Sequence, residues 1–508
     1  MAFVESVEPS VSGHRRLRTR CPVSHRVLKE FDVTTAADVA VAMERARTAQ
    51  AAWAKTSFPE RTAILQRALA ILIEKQEAFI DRIVAETGRS RMETTMMEIF
   101  AACDSLNFYS RRAERMLRPR AVGLHLLRMK RAKLTFTPLG VVGVITPWNG
   151  PFILSLNPTV QALMAGNAVL IKPSEVTPDS GVLVGELFAE AGLPDGLVQI
   201  LLGDGETGAA LIDSGVDKIS FTGSVATGRK VGAACGHNLI PCTLELGGKD
   251  PMVVCADADI DRAVGGAVFG GMMNGGQFCS STERIYVVEA VAEEFIGKLT
   301  EKVAALKVGH EGEYDIGPFI STRQLEIVED HVNDAVARGA KALVGGGRSA
   351  VGEHFFQPTL LVGVTHEMKV MTEETFGPIL PVMVVADEDE AIAMANDTRF
   401  GLGATLWTKD RAKGERLAER LEAGAVIIND SSITYGALEL PFGGVKHSGV
   451  GRVNGEIGLR GFCHAKPVIA DRFGQKEEFV WYPYTNEKEG HLKKAIQWIW
   501  KTPLKRLM

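Results

Sequence analysis

The chain has 508 residues, of which 46% are hydrophobic and 23% charged, and its net charge is −5. That length exceeds one ordinary hydrophobic core, so two or three domains of a soluble globular protein are expected, and the mildly acidic balance excludes a general nucleic-acid binder with a basic face. Seven scattered cysteines, none spaced Cys-x-x-Cys, and eleven histidines without ligand spacing exclude a disulfide framework and a zinc site and point to a reducing compartment.

In chain order, the run Met1 to Glu5 begins no apolar core of the kind a secretory signal needs, and Arg15, Arg16, Arg18 and Arg20 are expected in a solvated arm. No run reaches the ~18–20 apolar residues that cross a bilayer; a cytoplasmic protein is expected. Two helices open the folded part. The first, 35–56, is alanine-rich and capped by Thr34 or Thr35. The second, 60–87, lines up Ile64, Ala68, Ile71 and Leu72 and stops at Gly88. Lys130–Pro138 is basic and alternating, as in a protruding hairpin. From Gly140 the texture becomes short apolar runs between helical stretches: Val141–Ile145, Ala168–Ile171, Val198–Leu202 and Lys218–Phe221. Such alternation predicts a parallel sheet covered on both faces. The pattern restarts after Gly248, with strands at Arg284–Val288, Ala342–Val344, Ile379–Val385, Ala404–Trp407 and Ala425–Asn429. Helices are expected near 290–306, 321–339, 387–396 and 410–422. The fold class is α/β, with two successive open α/β domains meeting near residue 248.

The last 28 residues hold three of the six tryptophans, Trp481, Trp498 and Trp500, beside Tyr482 and Tyr484. Leu492, Ala495, Ile496 and Ile499 form a helical apolar stripe. Lys493, Lys494, Lys501, Lys505 and Arg506 add positive charge, and Pro503 interrupts the end. An amphipathic helix docked on protein is the first reading; peripheral membrane contact is the second.

Four runs carry chemistry: Thr146-Pro-Trp-Asn149, Leu244-Glu-Leu-Gly-Gly-Lys249, Asn274-Gly-Gly-Gln-Phe-Cys-Ser280 and Glu373-Glu-Thr-Phe-Gly-Pro378. A lone cysteine is ordinarily a small buried hydrophobe. Here Gly275, Gly276 and Gln277 let backbone approach Cys279, and a thiolate is the right nucleophile for a carbonyl even as a minor species. Glu245, set between leucines, is costly to bury ionised, and a raised pKa suits it to take a proton from water. Lys172, Ser174 and Glu175 follow a strand at a sheet's carboxyl edge, where ligands of open α/β folds bind. The run Phe221–Gly228, with Gly223 and Ser224, leads from strand into helix and can meet a pyrophosphate.

Together these runs resemble the aldehyde dehydrogenase superfamily, from about residue 30 to about residue 470. The resemblance implies Cys279 as nucleophile, Glu245 as general base and Asn149 as oxyanion donor. It implies a cofactor site of Thr146, Pro147, Trp148, Lys172, Ser174, Glu175, Gly223, Ser224, Glu374 and Phe376, without metal. Glu175 beside the ribose favours NAD, with NADP as the other candidate. Glu245 argues against coenzyme-A-acylating relatives, and the presence of both Glu245 and Cys279 argues against a non-enzymatic descendant. A Rossmann-like cofactor domain (1–125 and 141–247), a catalytic domain (248–455), a β oligomerisation arm (126–140 and 456–485) and a tail (486–508) are expected, in a homodimer or homotetramer. Relatives acting on succinate semialdehyde commonly carry arginine six residues before the cysteine. Met273 stands there, so an uncharged aliphatic or aromatic aldehyde is expected, with Met273 and Phe278 as pocket walls. A semialdehyde enzyme, or a membrane-associated fatty-aldehyde enzyme whose tail this one resembles in character, is the alternative.

Overall fold

Short β-branched runs become the buried strands that position everything else. The structure, a computed structural model, describes residues 7–9 and 15–503; Lys505, Arg506 and the run Met1 to Glu5 lie outside the described residues. The chain divides into two units, Met1–Met116 with Pro138–Phe462, and Leu117–Thr137 with Cys463–Met508.

The first unit holds two large sheets. In the six-stranded one the order is Gly449–Val450, Cys242–Glu245, Lys218–Thr222, Val141–Ile145, Ala168–Lys172, Val198–Ile200. Val141–Ile145 and Ala168–Lys172 are buried at every position, as parallel strands covered on both faces must be. Later strands lie on both sides of Val141–Ile145: Ala168–Lys172 on one, Lys218–Thr222 on the other, both parallel to it. Strand order therefore reverses there. The loops after Ile145 and Thr222 flank the crevice that such a reversal opens at the strands' carboxyl ends.

The seven-stranded sheet runs Lys341–Val344, Thr359–Val362, Ile379–Val385, Thr282–Val288, Asp250–Val254, Gly403–Trp407, Ala425–Ile428. Its only antiparallel pair among the described residues is the edge strand Lys341–Val344 with Thr359–Val362. One face packs Leu325, Val328 and Val332 of the helix Thr322–Ala337. The other packs Ala263, Val264 and Ala267 of Ile260–Met272 with Phe295 and Leu299 of Glu289–Ala304. Burying each such large apolar side chain contributes roughly 1.5–3 kcal/mol.

Three expectations change. The arginine-rich segment is no arm: Arg15–Arg20 is a strand paired antiparallel with Val27–Asp32. Leu17 and Thr19 face inward and are buried, while Arg18 Nε donates to Glu30 at 2.8 Å. The helix expected over 60–87 is two, Phe58–Glu74 and Gln76–Thr87, broken at Lys75, whose φ of −104° and ψ of 15° leave the helical well. Gly88, at φ +67°, ends the second one in the left-handed conformation glycine tolerates. The boundaries around the expected arm also move. Gly455–Arg460 belongs to the first unit, with Leu459 fully buried.

The second unit is a three-stranded sheet, Cys463–Asp471, Lys130–Pro138, Arg120–Val122, in which Arg120 pairs with Leu134 in an antiparallel hairpin. Lys130 Nζ holds Asp471 at 2.9 Å and also bonds Glu478. The helix Asn486–Lys501 belongs to this unit, starts from the cap Thr485, and buries none of its residues.

Candidate active site

The run Leu244–Lys249 crosses between the two large sheets, because Cys242–Glu245 belongs to one and Asp250–Val254 to the other. A Cβ on Gly248 would lie 2.6 Å from the Cys279 carbonyl oxygen. Only glycine lets the crossover and the cysteine loop touch. Glu245 ends its strand buried, and neither carboxylate oxygen has a hydrogen-bond partner among the described residues. Burial pushes its pKa well above the usual carboxylate range, with the Arg452 guanidinium opposing in part. At Gly443 a Cβ would come within 2.6 Å of Glu245 Oε1, so the opposite wall also needs glycine.

Cys279 follows the helix Ile260–Met272, which Asp259 caps through the Arg262 N–H at 3.2 Å. The chain then reverses through three left-handed residues, Asn274 (φ +55°), Gly275 (+62°) and Gly276 (+71°). Asparagine is among the few residues that accept this well, and here its side chain is fixed on all sides. Its Oδ1 accepts from Arg89 Nε at 2.8 Å. Its Nδ2 donates to the Gln277 carbonyl at 2.9 Å and to the Asn149 carbonyl at 3.2 Å. Its own N–H donates to Glu93 Oε1 at 2.6 Å.

Asn149 meets the same loop. Its Nδ2 donates to the Gln277 carbonyl at 3.2 Å, and Arg89 Nη2 donates to its carbonyl. Cys279 and Glu245 line one small cavity with Leu154, Asn157, Tyr435 and Phe442. Cys279 also packs against Leu402 and Val453. Burial, then the charges of Asp250, Glu245 and Glu374, push the thiol pKa up. These effects favour the protonated thiol, so the thiolate is the minor species.

The model of the aldehyde dehydrogenase family matches residues 10–468. The chain belongs to that family. It is 42% identical over 481 residues to a 4,4'-diapolycopene aldehyde oxidase of Methylomonas sp., covering 94% of this chain and 90% of that one. The crystal structure of a succinate-semialdehyde dehydrogenase from Burkholderia pseudomallei superposes with a TM-score of 0.87 at 36% identity, covering 90% and 95% of the two chains. An aldehyde dehydrogenase of Mycobacterium tuberculosis complexed with NAD+ gives 0.86 at 34% identity, covering 91% and 96%. The protein is thus an NAD(P)-dependent oxidoreductase of aldehydes.

This dehydrogenase brings the expected cofactor residues to the crevice where strand order reverses. Thr146 follows Val141–Ile145, its N–H bonded to the Lys172 carbonyl at 3.1 Å and its hydroxyl to Ser155 at 2.8 Å; Pro147 continues that loop. Lys172 ends the adjacent strand and holds Glu175 Oε2 at 3.0 Å. Ser174 accepts from the Val176 N–H at 3.2 Å. Gly223 donates to the Glu245 carbonyl at 3.0 Å. Ser224 caps the 13-residue helix Val225–His237 through the Thr227 N–H at 3.3 Å. A helix of that length offers backbone donors to a phosphate, and a lysine and carboxylate at the neighbouring strand end suit a ribose, so the residues fit a dinucleotide.

The Glu373–Pro378 run closes the other side. Glu374 accepts from the Gly248 N–H at 3.0 Å; burial, then neighbouring Glu283, push its carboxyl up to about 8. Phe376 (φ +53°) sets its ring edge-on to Trp148 at 5.5 Å.

Met273 is buried but lines a separate cleft with Met272, Phe269, Met92 and Met96. Phe278 is half-buried and lines neither cavity. The left-handed reversal after Met273 is the reason: it leaves that side chain on the helix face and sends only the later loop toward Glu245. Leu154, Asn157, Tyr435 and Phe442 take the wall positions instead, from segments whose sequence carries no motif. Arg89, Glu98 and Asn274 were not foreseen either, since a buried arginine has no local signature.

Proposed function

We propose that the enzyme oxidises an uncharged aldehyde to the free carboxylic acid through a covalent intermediate on Cys279, using NAD in preference to NADP. The observation that carries this reading is the shared cavity of Cys279 and a Glu245 whose two oxygens are unpartnered. A buried carboxyl without partners is free to bond a water.

Cys279 passes its proton to a water and attacks the aldehyde carbon as the thiolate, the C–S bond forming as the carbonyl π pair moves onto oxygen. Asn149 is the proposed oxyanion donor: an amide has two N–H bonds, one goes to Gln277, and the other would serve the substrate with the Cys279 backbone N–H. One such donor is worth about 3 kcal/mol in the transition state. Bound NAD(P) supplies the hydride acceptor, and Lys172, Glu175, Ser224, Glu374 and Phe376 are the residues that would hold it. Glu245 takes the proton of the water that hydrolyses the thioester on Cys279, and the acid leaves. Trp148 and Phe376 help exclude bulk water from the site.

No lysine or arginine is among the residues lining the Cys279 cavity. A distal carboxylate would enter without the charge-assisted hydrogen bond worth roughly 1.5–3 kcal/mol. The Methylomonas relative's name supports an uncharged aldehyde; that of the Burkholderia structure supports a semialdehyde. The cavity lining favours the first. The hairpin sheet Arg120–Val122, Lys130–Pro138, Cys463–Asp471 is proposed as the arm through which subunits assemble. Steady-state kinetics over benzaldehyde, medium-chain aldehydes and succinate semialdehyde, with and without coenzyme A, tests the reading. Higher kcat/KM for the uncharged set and free acid as product are expected. Preference for succinate semialdehyde, or a requirement for coenzyme A, overturns it.

A further inference from the structure

The family match ends at residue 468, and the chain continues for 40 residues more. This extension is built differently from the rest. Phe473, Phe479, Trp481, Tyr482 and Tyr484 are 48–76% exposed. They lead into the helix Asn486–Lys501, in which no residue is buried.

At 100° per residue, Leu492, Ala495, Ile496 and Ile499 fall on one face. Gln497, Lys494 and Lys501 fall on the opposite one. Trp498 and Trp500 stand at the two borders, 62% and 49% exposed, and Leu492 and Ile496 are each 48% exposed. Leu492 and Ile496 leave this face open, Ala495 and Ile499 are half-buried on it, and Lys488 and Glu489 of the first turn flank it. Residues 486–508 hold six lysines and arginines against Glu487 and Glu489, a net +4 in a chain of net −5, so residues 1–485 carry −9.

We propose that this helix docks the enzyme on an anionic lipid surface, lying in the interface with Leu492, Ile496 and Ile499 toward the acyl chains. The combination of an open apolar face, bordering tryptophans and a lysine-rich outer face is what interfacial helices require. The helix is 16 residues, about 24 Å, and no helix among the described residues is long and apolar enough to cross a membrane. It lies on the bilayer and does not span it. Charge complementarity selects anionic headgroups, toward which lysines on the helix are drawn. The placement goes beyond the reaction assigned above and does not depend on it.

The full chain is mixed with vesicles of pure phosphatidylcholine or of phosphatidylcholine with phosphatidylglycerol, at low and at high salt, and sedimented. Co-sedimentation with the anionic vesicles at low salt is expected. At least a tenfold loss is expected with pure phosphatidylcholine, with Ile496→Glu, and with the pair Lys493→Glu and Lys494→Glu. Each variant keeps its turnover of a water-soluble aldehyde. Absence of co-sedimentation of the native chain at low salt overturns the proposal. So does vesicle binding unchanged by both variants, or a drop in oligomer size in plain buffer when residues 486–508 are removed without loss of vesicle binding, which assigns the face to a second copy.

Discussion

Arg89 Nη1 bonds Glu98 Oε1 at 3.0 Å, and neither side chain is more than 1% exposed. The same guanidinium holds the Asn149 carbonyl and the Asn274 side chain, while Glu98 Oε2 accepts from the Ile153 N–H at 2.8 Å. One buried pair thus fixes both Asn149 and the turn that delivers Cys279. Removing one partner of such a pair costs about 3–5 kcal/mol, whereas replacing both by apolar residues is often neutral.

Glu98→Ala should therefore lower the urea midpoint markedly, and Arg89→Met with Glu98→Leu should restore most of it. Turnover should not follow stability. The double variant leaves Asn149 and Asn274 without their donor, and a kcat at least tenfold below native is expected. A double variant with native kcat would show that the pair serves folding alone.

Cys279→Ala should abolish dehydrogenase activity while leaving dinucleotide binding, read by fluorescence titration, within about twofold, because the sulfur is proposed to serve the carbonyl and not the dinucleotide. Glu245→Gln should keep a rapid first burst of reduced cofactor and slow the steady rate by on the order of 10²–10⁴-fold, the usual contribution of a general base. Loss of the burst itself would place Glu245 at the attack step.

Glu245 also gives the stability a direction in pH. Its folded pKa is raised, so its contribution is full below the unfolded value near 4.3 and is lost as pH rises through the folded value. Glutamine does not titrate. The stability of Glu245→Gln relative to native should grow between pH 5 and pH 8, by about 1.4 kcal/mol for each unit of raised pKa spanned. Urea melts at the two pH values measure it. The same substitution removes a neighbour that raises the Cys279 pKa, so iodoacetamide should alkylate the variant faster at pH 9. Slower alkylation would mean that Glu245 deprotonates the thiol.

The strands that are continuous Val, Ile and Leu runs were legible: Val141–Ile145 and Ile379–Val385 have the bounds the sequence predicts, whereas Cys242–Glu245, Asp250–Val254 and Thr359–Val362 were not read as strands. Arg15–Arg20 was not, because arginines at four of six positions hide the alternation of Leu17 and Thr19. The break at Lys75 carries neither glycine nor proline, so periodicity runs straight through it. In the site, motif residues such as Cys279 and Glu245 stand out because glycines flank them. Arg89, Asn157 and Tyr435 do not, because what they do depends on partners 60 to 297 residues away. Met273 lines another cleft than the one holding Cys279, because sequence distance from the cysteine says nothing about a reversal set by the φ of Asn274.

The proposed preference for NAD rests on Glu175. Its carboxylate is half-exposed at the strand end and is held by Lys172 at 3.0 Å. A ribose 2′-hydroxyl can donate to it, whereas the 2′-phosphate of NADP meets a like charge. At ~4 Å with an effective dielectric near 20 that repulsion reaches about 4 kcal/mol, and exposure reduces it to about 1–2 kcal/mol. Glu175→Gln removes the repulsion and frees Lys172 to pair with the phosphate, so both changes act in one direction. The kcat/KM for NADP should rise about tenfold or more while that for NAD falls, the lost acceptor costing about 1 kcal/mol. Initial rates with each cofactor at saturating aldehyde give both numbers. Equal kcat/KM with the two cofactors in the native enzyme, or no gain with NADP in Glu175→Gln, would remove Glu175 as the discriminating group.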